Sequence, residues 1–242
     1  MLENQIPLSP LMGAPFVTTQ IFSIDWLHAV DLGVAADFLG GLFATLIHGS
    51  LPGASLKARC AQLWALVQEF YKAQKVEDRL HGALALNAAR AQWLFAKLRC
   101  SAAQCRALVP FAQATAATWL GQGPMESTIK AAASHLAKCY QALQTDFGPH
   151  AAHLEAHSRQ FAGLVVALEQ EQPMRFRVKP KMHLFLELCS SGSKPSLTWT
   201  YRDEDWGGTA AQLSRRRGGL LSAKATSHNF VLRFRLKQPL LV

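Results

Sequence analysis

Apolar residues recur every three or four positions along most of the first two-thirds of the chain, which is the spacing of one face of a helix. The repeat runs over residues 27–46, 56–71, 87–98, 102–120, 125–147 and 151–168. Proline and glycine separate several of these segments, as at Pro52-Gly53 and Gly148-Pro149. The pattern predicts a helical body over residues 27–172, with Ser55 as the N-cap of its second helix.

The two ends of the chain follow a different pattern. Residues 1–26 have little periodicity and close on the β-prone run Ile21-Phe22-Ser23-Ile24, which predicts an extended lead-in and a short strand. The basic C-terminal region, residues 173–242, shows strand-like runs at 174–179, 198–201 and 230–237 and helical runs at 182–188 and 203–216. The 230–237 run fits either a strand or the end of a helix. We therefore predict a mainly α protein whose lead-in and C-terminal third form a small α+β remnant.

The amino-acid composition indicates the broad class of protein. Half of the 242 residues are hydrophobic and 17% are charged, which is typical of a globular chain with a sizeable core. The longest apolar run, residues 38–47, is too short to span a bilayer, so we expect no membrane partner. The N-terminus lacks a secretory signal pattern. The five cysteines form an odd set without a Cys-x-x-Cys pair, which favours free thiols in a reducing, intracellular compartment.

The basic charge is concentrated at one end. Residues 175–242 hold 13 Lys+Arg and 4 Asp+Glu, so the chain's totals of 25 and 16 leave 12 of each sign for residues 1–174. Clustered positive charge attracts polyanions, and it also occurs in basic tails that serve only solubility. Interleaved aromatic residues favour binding, which predicts a nucleic-acid partner. The residues expected to contact phosphates are Arg202, Arg215, Arg216, Arg217, Arg233 and Arg235. Trp206 would stack on a displaced base or lie in the core.

An acidic residue and a histidine stand together at the start of the first predicted helix, in Asp25-Trp26-Leu27-His28. Asp25 and His28 are one turn apart, and Asp31 is expected to continue the same face. A carboxylate beside a histidine suits a hard-metal or proton-transfer site. The same pattern also suits an Asp N-cap beside a hydrogen-bonded histidine.

Two further clusters of side chains, one acidic and one of histidines, have residue types that suit a metal site. Asp203, Glu204 and Asp205 form the only acidic run in the basic region, where they would hold Mg²⁺ against a phosphodiester or begin a helix. His150, His153 and His157 lie on one face of a predicted helix, which fits a solvated polar face or a metal site of an enzyme.

The Asp25-x-x-His28 string followed by a long helical stretch and a distant acid resembles the catalytic domains of eukaryotic cut-and-paste transposases of the hAT, CACTA and KDZ types. The resemblance implies an RNase H-like core in which acidic residues bind Mg²⁺ or Mn²⁺. It implies catalytic roles for Asp25, His28 and Glu204, metal contacts from Asp25, Asp31 and Glu204, and a helical insertion at residues 34–170. DNA is the favoured partner, and a nuclear location follows from it.

One feature of the transposase pattern, its first catalytic acid, has no clear counterpart among these residues. The first acid of an RNase H-like core comes from the first strand of a sheet, and only Glu3 precedes Asp25 among the acids here. We therefore expect a C-terminal portion of a transposase core whose first catalytic acid is missing. If the chain has activity, it would be that of a divalent-metal-dependent DNA transposase or nuclease. The alternative is a helical protein-interaction module whose basic C-terminal region binds an acidic partner.

Overall fold

The computed structural model describes residues 23–80, 96–144, 147–197, 199–201, 227–228 and 232. The chain divides into two compact units, Met1–Thr198 and Trp199–Val242. The described part of the first unit is mainly helical, which confirms the mainly α part of the predicted fold class, and no strand of the predicted α+β remnant occurs among the described residues. In the second unit the rings of Trp199 and Tyr201 pack edge to face with centroids 5.3 Å apart. The predicted lead-in up to residue 22, the helix at 203–216 and nearly all of the 230–237 run lie outside the described residues.

Six helices make up the described part of the first unit. They are α1 (Leu27–Ser50), α2 (Leu56–Ala73), α3 (Ala102–Trp119), α4 (Pro124–Gln144), α5 (Phe147–Glu171) and α6 (Pro180–Ser190), followed by a 3₁₀ turn at Pro195–Leu197. The most extensive packing is between α4 and α5. α3 and α6 both contact the N-terminal part of α1, and α2 contacts its C-terminal end. α1 therefore forms the centre of the bundle.

Side-chain caps explain where two of these helices begin. Ser55 Oγ accepts a hydrogen bond from the Ala58 N–H at 3.2 Å, which confirms the predicted cap of α2. Before α3, Ser101 Oγ accepts from the Gln104 N–H at 3.3 Å, and Gln104 Oε1 accepts from the Ser101 N–H at 2.9 Å. This reciprocal pair satisfies two backbone donors that the first turn of a helix leaves without partners.

α1 is the core helix of the unit. It has α geometry over Ala36–Thr45 and the wider π geometry at both ends, over Leu27–Ala35 and Leu46–Ser50. Its length and mean hydropathy of 1.7 would suffice to cross a membrane, but 89% of its apolar stretch is buried inside the protein. The surfaces that a lipid bilayer would cover are covered here by other parts of the chain.

Two glycines in the middle of α1 allow chain segments to cross it at backbone contact. A Cβ atom on Gly40 would lie 2.6 Å from Lys97 Cα, and one on Gly41 would lie 2.5 Å from the Arg175 carbonyl oxygen. Both distances are shorter than any real contact of a Cβ atom, and the opposing atoms are backbone atoms that cannot rotate away. A hydrogen bond from the Leu98 N–H to the Ala36 carbonyl, 2.9 Å long, fixes the first crossing.

The structure corrects two local predictions about these crossing segments. The strand predicted at 174–179 does not form, because residues 176–179 belong to no helix or strand and no strand occurs among the described residues. The Phe176 N–H bonds to the Gln172 carbonyl at 2.9 Å and the Val178 N–H to Glu169 Oε1 at 3.0 Å, so Glu169 of α5 and the residue just after α5 supply the acceptors that a sheet would have supplied. Residues 96–98 are not helical as predicted, because the bond to Ala36 draws this segment onto α1.

All five cysteines are free thiols, as their odd number and spacing predict. Cys105, Cys139 and Cys189 are buried in the helix interfaces. Burial raises the pKa of Cys189 to about 12 and the pKa of Cys139 well above the ordinary value of a thiol. Since the thiolate is the reactive form, these two groups serve packing rather than nucleophilic chemistry.

The Gly41 crossing predicts opposite effects for two glycine-to-alanine changes. Gly41→Ala should destabilise the fold by about 1–3 kcal/mol, because the new methyl group overlaps the Arg175 backbone and the Phe176 ring. Gly163→Ala is the matched control, since Gly163 lies on an exposed part of α5 with open space at its Cβ position. That change should stabilise the fold by up to about 1 kcal/mol through helix propensity. Urea denaturation measures the free energy of unfolding of both variants. Equal changes in that free energy would contradict the close backbone contact at Gly41.

Candidate functional site

Asp25 and His28 form a pair at the exposed start of α1. The Asp25 carboxylate accepts hydrogen bonds from the Leu27 N–H at 3.2 Å and the His28 N–H at 3.1 Å, and it contacts Nδ1 of the His28 ring. The aspartate therefore caps the first turn of the helix. The side chain of His28 is 59% exposed and that of Asp25 is 15% exposed, so the imidazole is open to a partner while the carboxylate is mostly used within the turn.

Asp31 lies on a different side of α1. Its side chain is fully buried and its Oδ1 accepts a hydrogen bond from the Tyr140 hydroxyl of α4 at 2.5 Å. The expectation that Asp31 continues the exposed face of Asp25 and His28 is wrong for this reason. The carboxylate instead ties α1 to α4, where Arg106 of α3 lies over the Tyr140 ring, 5.8 Å from its centroid. This geometry gives no support to the predicted role of Asp31 as a metal ligand.

Three lysines from two separate segments converge on one face of α1. Lys97 Nζ donates to the Leu32 carbonyl at 2.8 Å, and Lys181 Nζ donates to the His28 carbonyl at 2.7 Å. Lys179 Nζ forms an ion pair with Asp37 at 2.8 Å. The side chains of Lys97 and Lys179 are 43% and 35% exposed, respectively, so both remain accessible. We call Lys97, Lys179 and Lys181 the lysine cluster.

The lysine cluster has more positive charge than its nearest acid can balance. Asp37 pairs with Lys179 and lies 3.9 Å from Lys97 Nζ, so one carboxylate faces two ammonium groups. Partial burial, with the charges of Lys97 and Lys179, lowers the pKa of Lys181 although Asp37 opposes the shift. A lowered lysine pKa means that the surroundings disfavour another positive charge. A bound anion would relieve that condition.

The lysine cluster adjoins the Asp25–His28 pair, because Lys181 bonds directly to the His28 carbonyl. Sequence reasoning did not identify these lysines as a site. The apolar repeat over residues 87–98 places Lys97 on a predicted helix, and Lys179 and Lys181 lie at the boundary between a strand-like run and a helical run. A weak signal was present, since Pro180 at the first position of α6 leaves a lysine on each side of a helix start.

Several predicted site residues lie outside the described residues. They are Glu204, Arg202, Trp206, Arg215, Arg216, Arg217, Arg233 and Arg235. Of the predicted metal and catalytic set, the described structure therefore contains Asp25, His28 and Asp31. Within the described ranges, no group of three or more His, Cys, Asp or Glu side chains is arranged to hold a metal ion. The described oxygen donors thus meet the needs of Mg²⁺ or Mn²⁺ only in part, through Asp25.

The histidines of α5 line a groove of about 320 Å³ beside Lys138 of α4. The His150 and His153 rings pack edge to face with centroids 5.6 Å apart. His157 points across to α4, where its Nδ1 lies 3.1 Å from Nδ1 of His135. Partial burial lowers the pKa values of His135 and His157, and the charge of Lys138 adds to both shifts. His135 was not part of the predicted histidine set, since it comes from another helix.

Comparison with known proteins returned no matching protein family, no matching curated protein and no matching solved structure. The transposase resemblance accordingly stays a prediction from the residues.

The hydrogen bond between Tyr140 and the buried Asp31 carboxylate should contribute measurably to the free energy of unfolding. Tyr140→Phe removes the hydroxyl that donates to Asp31 and leaves the ring, so one hydrogen bond to a buried carboxylate is lost. We expect destabilisation of about 1–3 kcal/mol, because the carboxylate was desolvated on folding and keeps that penalty. Urea denaturation measures the effect. Tyr140→Phe together with Asp31→Asn should be less than additive, whereas strict additivity would contradict a direct bond.

Proposed function

We propose that this protein is a transposon-derived nucleic-acid-binding domain, with DNA as the favoured partner, that lacks independent strand-transfer activity. The observation that carries the proposal is the lysine cluster beside the Asp25–His28 pair. Its ammonium groups come from segments that are more than 80 residues apart in the chain and meet on one helix face.

Phosphate groups would supply the negative charge that this surface lacks. Each phosphodiester carries one negative charge and exposed oxygen acceptors, which ammonium groups bind with release of counterions. A nucleic-acid backbone would present several such charges at regular spacing to Lys97, Lys179 and Lys181. His28 is exposed at the edge of the lysine cluster and would add a hydrogen-bond donor.

The proposal includes the basic residues beyond the described part of the chain. Arg202, Arg215, Arg216, Arg217, Arg233 and Arg235 would extend phosphate binding, and Trp206 would stack on a base. With the lead-in, this region would form the small α+β remnant of an RNase H-like core. A net charge of +9 for the whole chain supports a polyanionic partner. A nuclear location follows from a DNA partner.

The proposed metal chemistry is incomplete. Asp25 and Glu204 would hold Mg²⁺ or Mn²⁺, with His28 as an orienting or proton-transfer group. Two-metal phosphodiester chemistry needs carboxylates around both ions, and Asp31 is committed to Tyr140 in the core. The proposal therefore assigns binding to this chain and assigns no strand transfer to it alone.

Binding should depend on salt and on the lysine cluster. The affinity for a fluorescent DNA duplex, measured by anisotropy, should fall linearly in log–log form as salt rises. Lys179→Gln or Lys181→Gln should weaken binding and reduce the magnitude of that slope by about 1, since each removes one phosphate contact. Asp37→Asn should strengthen binding, because it removes the acid that competes with phosphate for Lys179.

Lys57→Gln is the matched control for these variants. Lys57 is an exposed lysine on α2, which packs at the opposite end of α1, so its removal changes net charge equally without touching the lysine cluster. Equal losses for Lys57 and Lys181 would show that only overall charge matters. Negligible DNA binding at low salt would favour the other reading, a helical interaction module with an acidic protein partner.

Catalysis provides a separate test of the incomplete site. Incubation of labelled DNA with the chain and Mg²⁺ or Mn²⁺ should give no cleavage or strand transfer above the protein-free level. The expected reason is that Asp31 is bonded to Tyr140 in the core and leaves too few carboxylates for two ions, so Glu204→Gln should leave this background unchanged. Robust turnover that disappears in Glu204→Gln would refute the absence of activity while leaving the DNA-binding proposal intact.

A further inference from the structure

Two histidines from different helices face each other at the α4–α5 interface. His135 of α4 and His157 of α5 approach with their Nδ1 atoms 3.1 Å apart and their ring centroids 5.2 Å apart. In the absence of a metal, one of these nitrogens must donate a proton to the other. The His157 ring lines the groove that His153, His150 and Lys138 also line.

We propose that His135 and His157 form a two-histidine site for a divalent transition metal of the Cu²⁺, Ni²⁺ or Zn²⁺ class, bridging α4 and α5. The site is distinct from the lysine cluster and from the Mg²⁺ site suggested for Asp25, since imidazole prefers transition metals and carboxylate prefers hard cations. It does not depend on the proposed nucleic-acid function.

The spacing of the two nitrogens fits metal coordination. Metal–imidazole bonds of about 2.0–2.1 Å at a tetrahedral angle place two nitrogens about 3.3 Å apart. The observed 3.1 Å requires an adjustment of only a few tenths of an ångström. The metal would take the place of the proton on the donating Nδ1, and that ring would carry its proton on Nε2 instead.

The surroundings leave room to complete the coordination sphere. The groove of about 320 Å³ admits water or a small exogenous ligand beside the pair. His153 lies one turn before His157 on α5 and lines the same groove, so it is the nearest candidate for a third contact. No group of three donors is already in place within the described ranges, so binding should be moderate and exchangeable.

Two electrostatic features act in opposite directions on this site. Partial burial favours the neutral form of both imidazoles, which is the form that binds metals. Lys138 lies close enough for its charge to act on both rings, and the same charge would repel a cation. Removing the charge of Lys138 should therefore increase the affinity for the metal. If His135 and His157 only form a hydrogen bond with each other, the same change should leave metal binding unaffected.

Metal titration of the whole chain, purified without a histidine tag, tests the site. Isothermal titration calorimetry with Ni²⁺ should show one equivalent bound, and Cu²⁺ should bind more tightly in keeping with its higher affinity for nitrogen ligands. Mg²⁺ should not compete. His135→Ala and His157→Ala should each weaken Ni²⁺ binding more than about tenfold, since each removes a ligand. Lys138→Gln should strengthen it.

The control variant is His183→Ala, which removes an exposed histidine of α6 that pairs with Glu187 and should leave the titration unchanged. Circular dichroism of each variant separates lost binding from lost folding. Electron paramagnetic resonance of the Cu²⁺ complex of the unaltered chain should show coupling to imidazole nitrogens, which needs no variant. An unaltered chain that binds no Ni²⁺ or Cu²⁺, or binding that survives both His135→Ala and His157→Ala, would overturn the proposal.

Discussion

The backbone contacts at Gly40 and Gly41 are the constraint on which the described structure depends. They let residues 96–99 and 175–179 cross α1 where any side chain would collide with a main chain. The first crossing sets the position of Lys97, and the second leads directly to Lys179 and the start of α6, where Lys181 lies. Because both crossings are held by backbone atoms, the two lysine-bearing segments have little freedom to separate. The charged surface is thus a consequence of how the apolar core helix is covered.

The polar groups of α1 contact another helix on its buried side and lysines on its exposed side. On the buried side, Asp31 accepts from Tyr140 and joins α1 to α4. On the exposed side, the carbonyls of His28 and Leu32 and the carboxylate of Asp37 orient three ammonium groups. The polar groups of one helix therefore perform two tasks, since one set joins helices and the other holds positive charge at the surface. One carboxylate faces two of these ammonium groups, which is why we propose an anionic partner for that surface.

The parts that could be predicted from sequence are those in which local pattern and tertiary packing agree. The long apolar repeats gave α2, α3, α4 and α5, and Ser55 caps α2 as expected. The strand predicted at 174–179 failed because its amide donors bond to Glu169 of α5 and to Gln172 just after α5, which are partners that alternation of apolar residues does not identify. Asp31 was misplaced because the start of α1 has π geometry, which rotates each residue less around the axis than an α-helix does. Lys97 and His135 were missed because their importance comes from residues distant in sequence. The catalytic and basic residues at 202–235 remain predictions.

Hydrogen–deuterium exchange of the intact chain, with and without a short DNA duplex at low salt, would show whether the two lysine-bearing segments act together. We predict that DNA slows exchange in peptides covering both residues 96–99 and residues 175–182, because we propose that these two segments form one phosphate-binding surface on α1. Peptides from the middle of α5 should be unaffected and serve as the internal reference. Protection confined to residues beyond 199, or protection of only one of the two segments, would contradict the claim that the crossings over α1 build the binding surface.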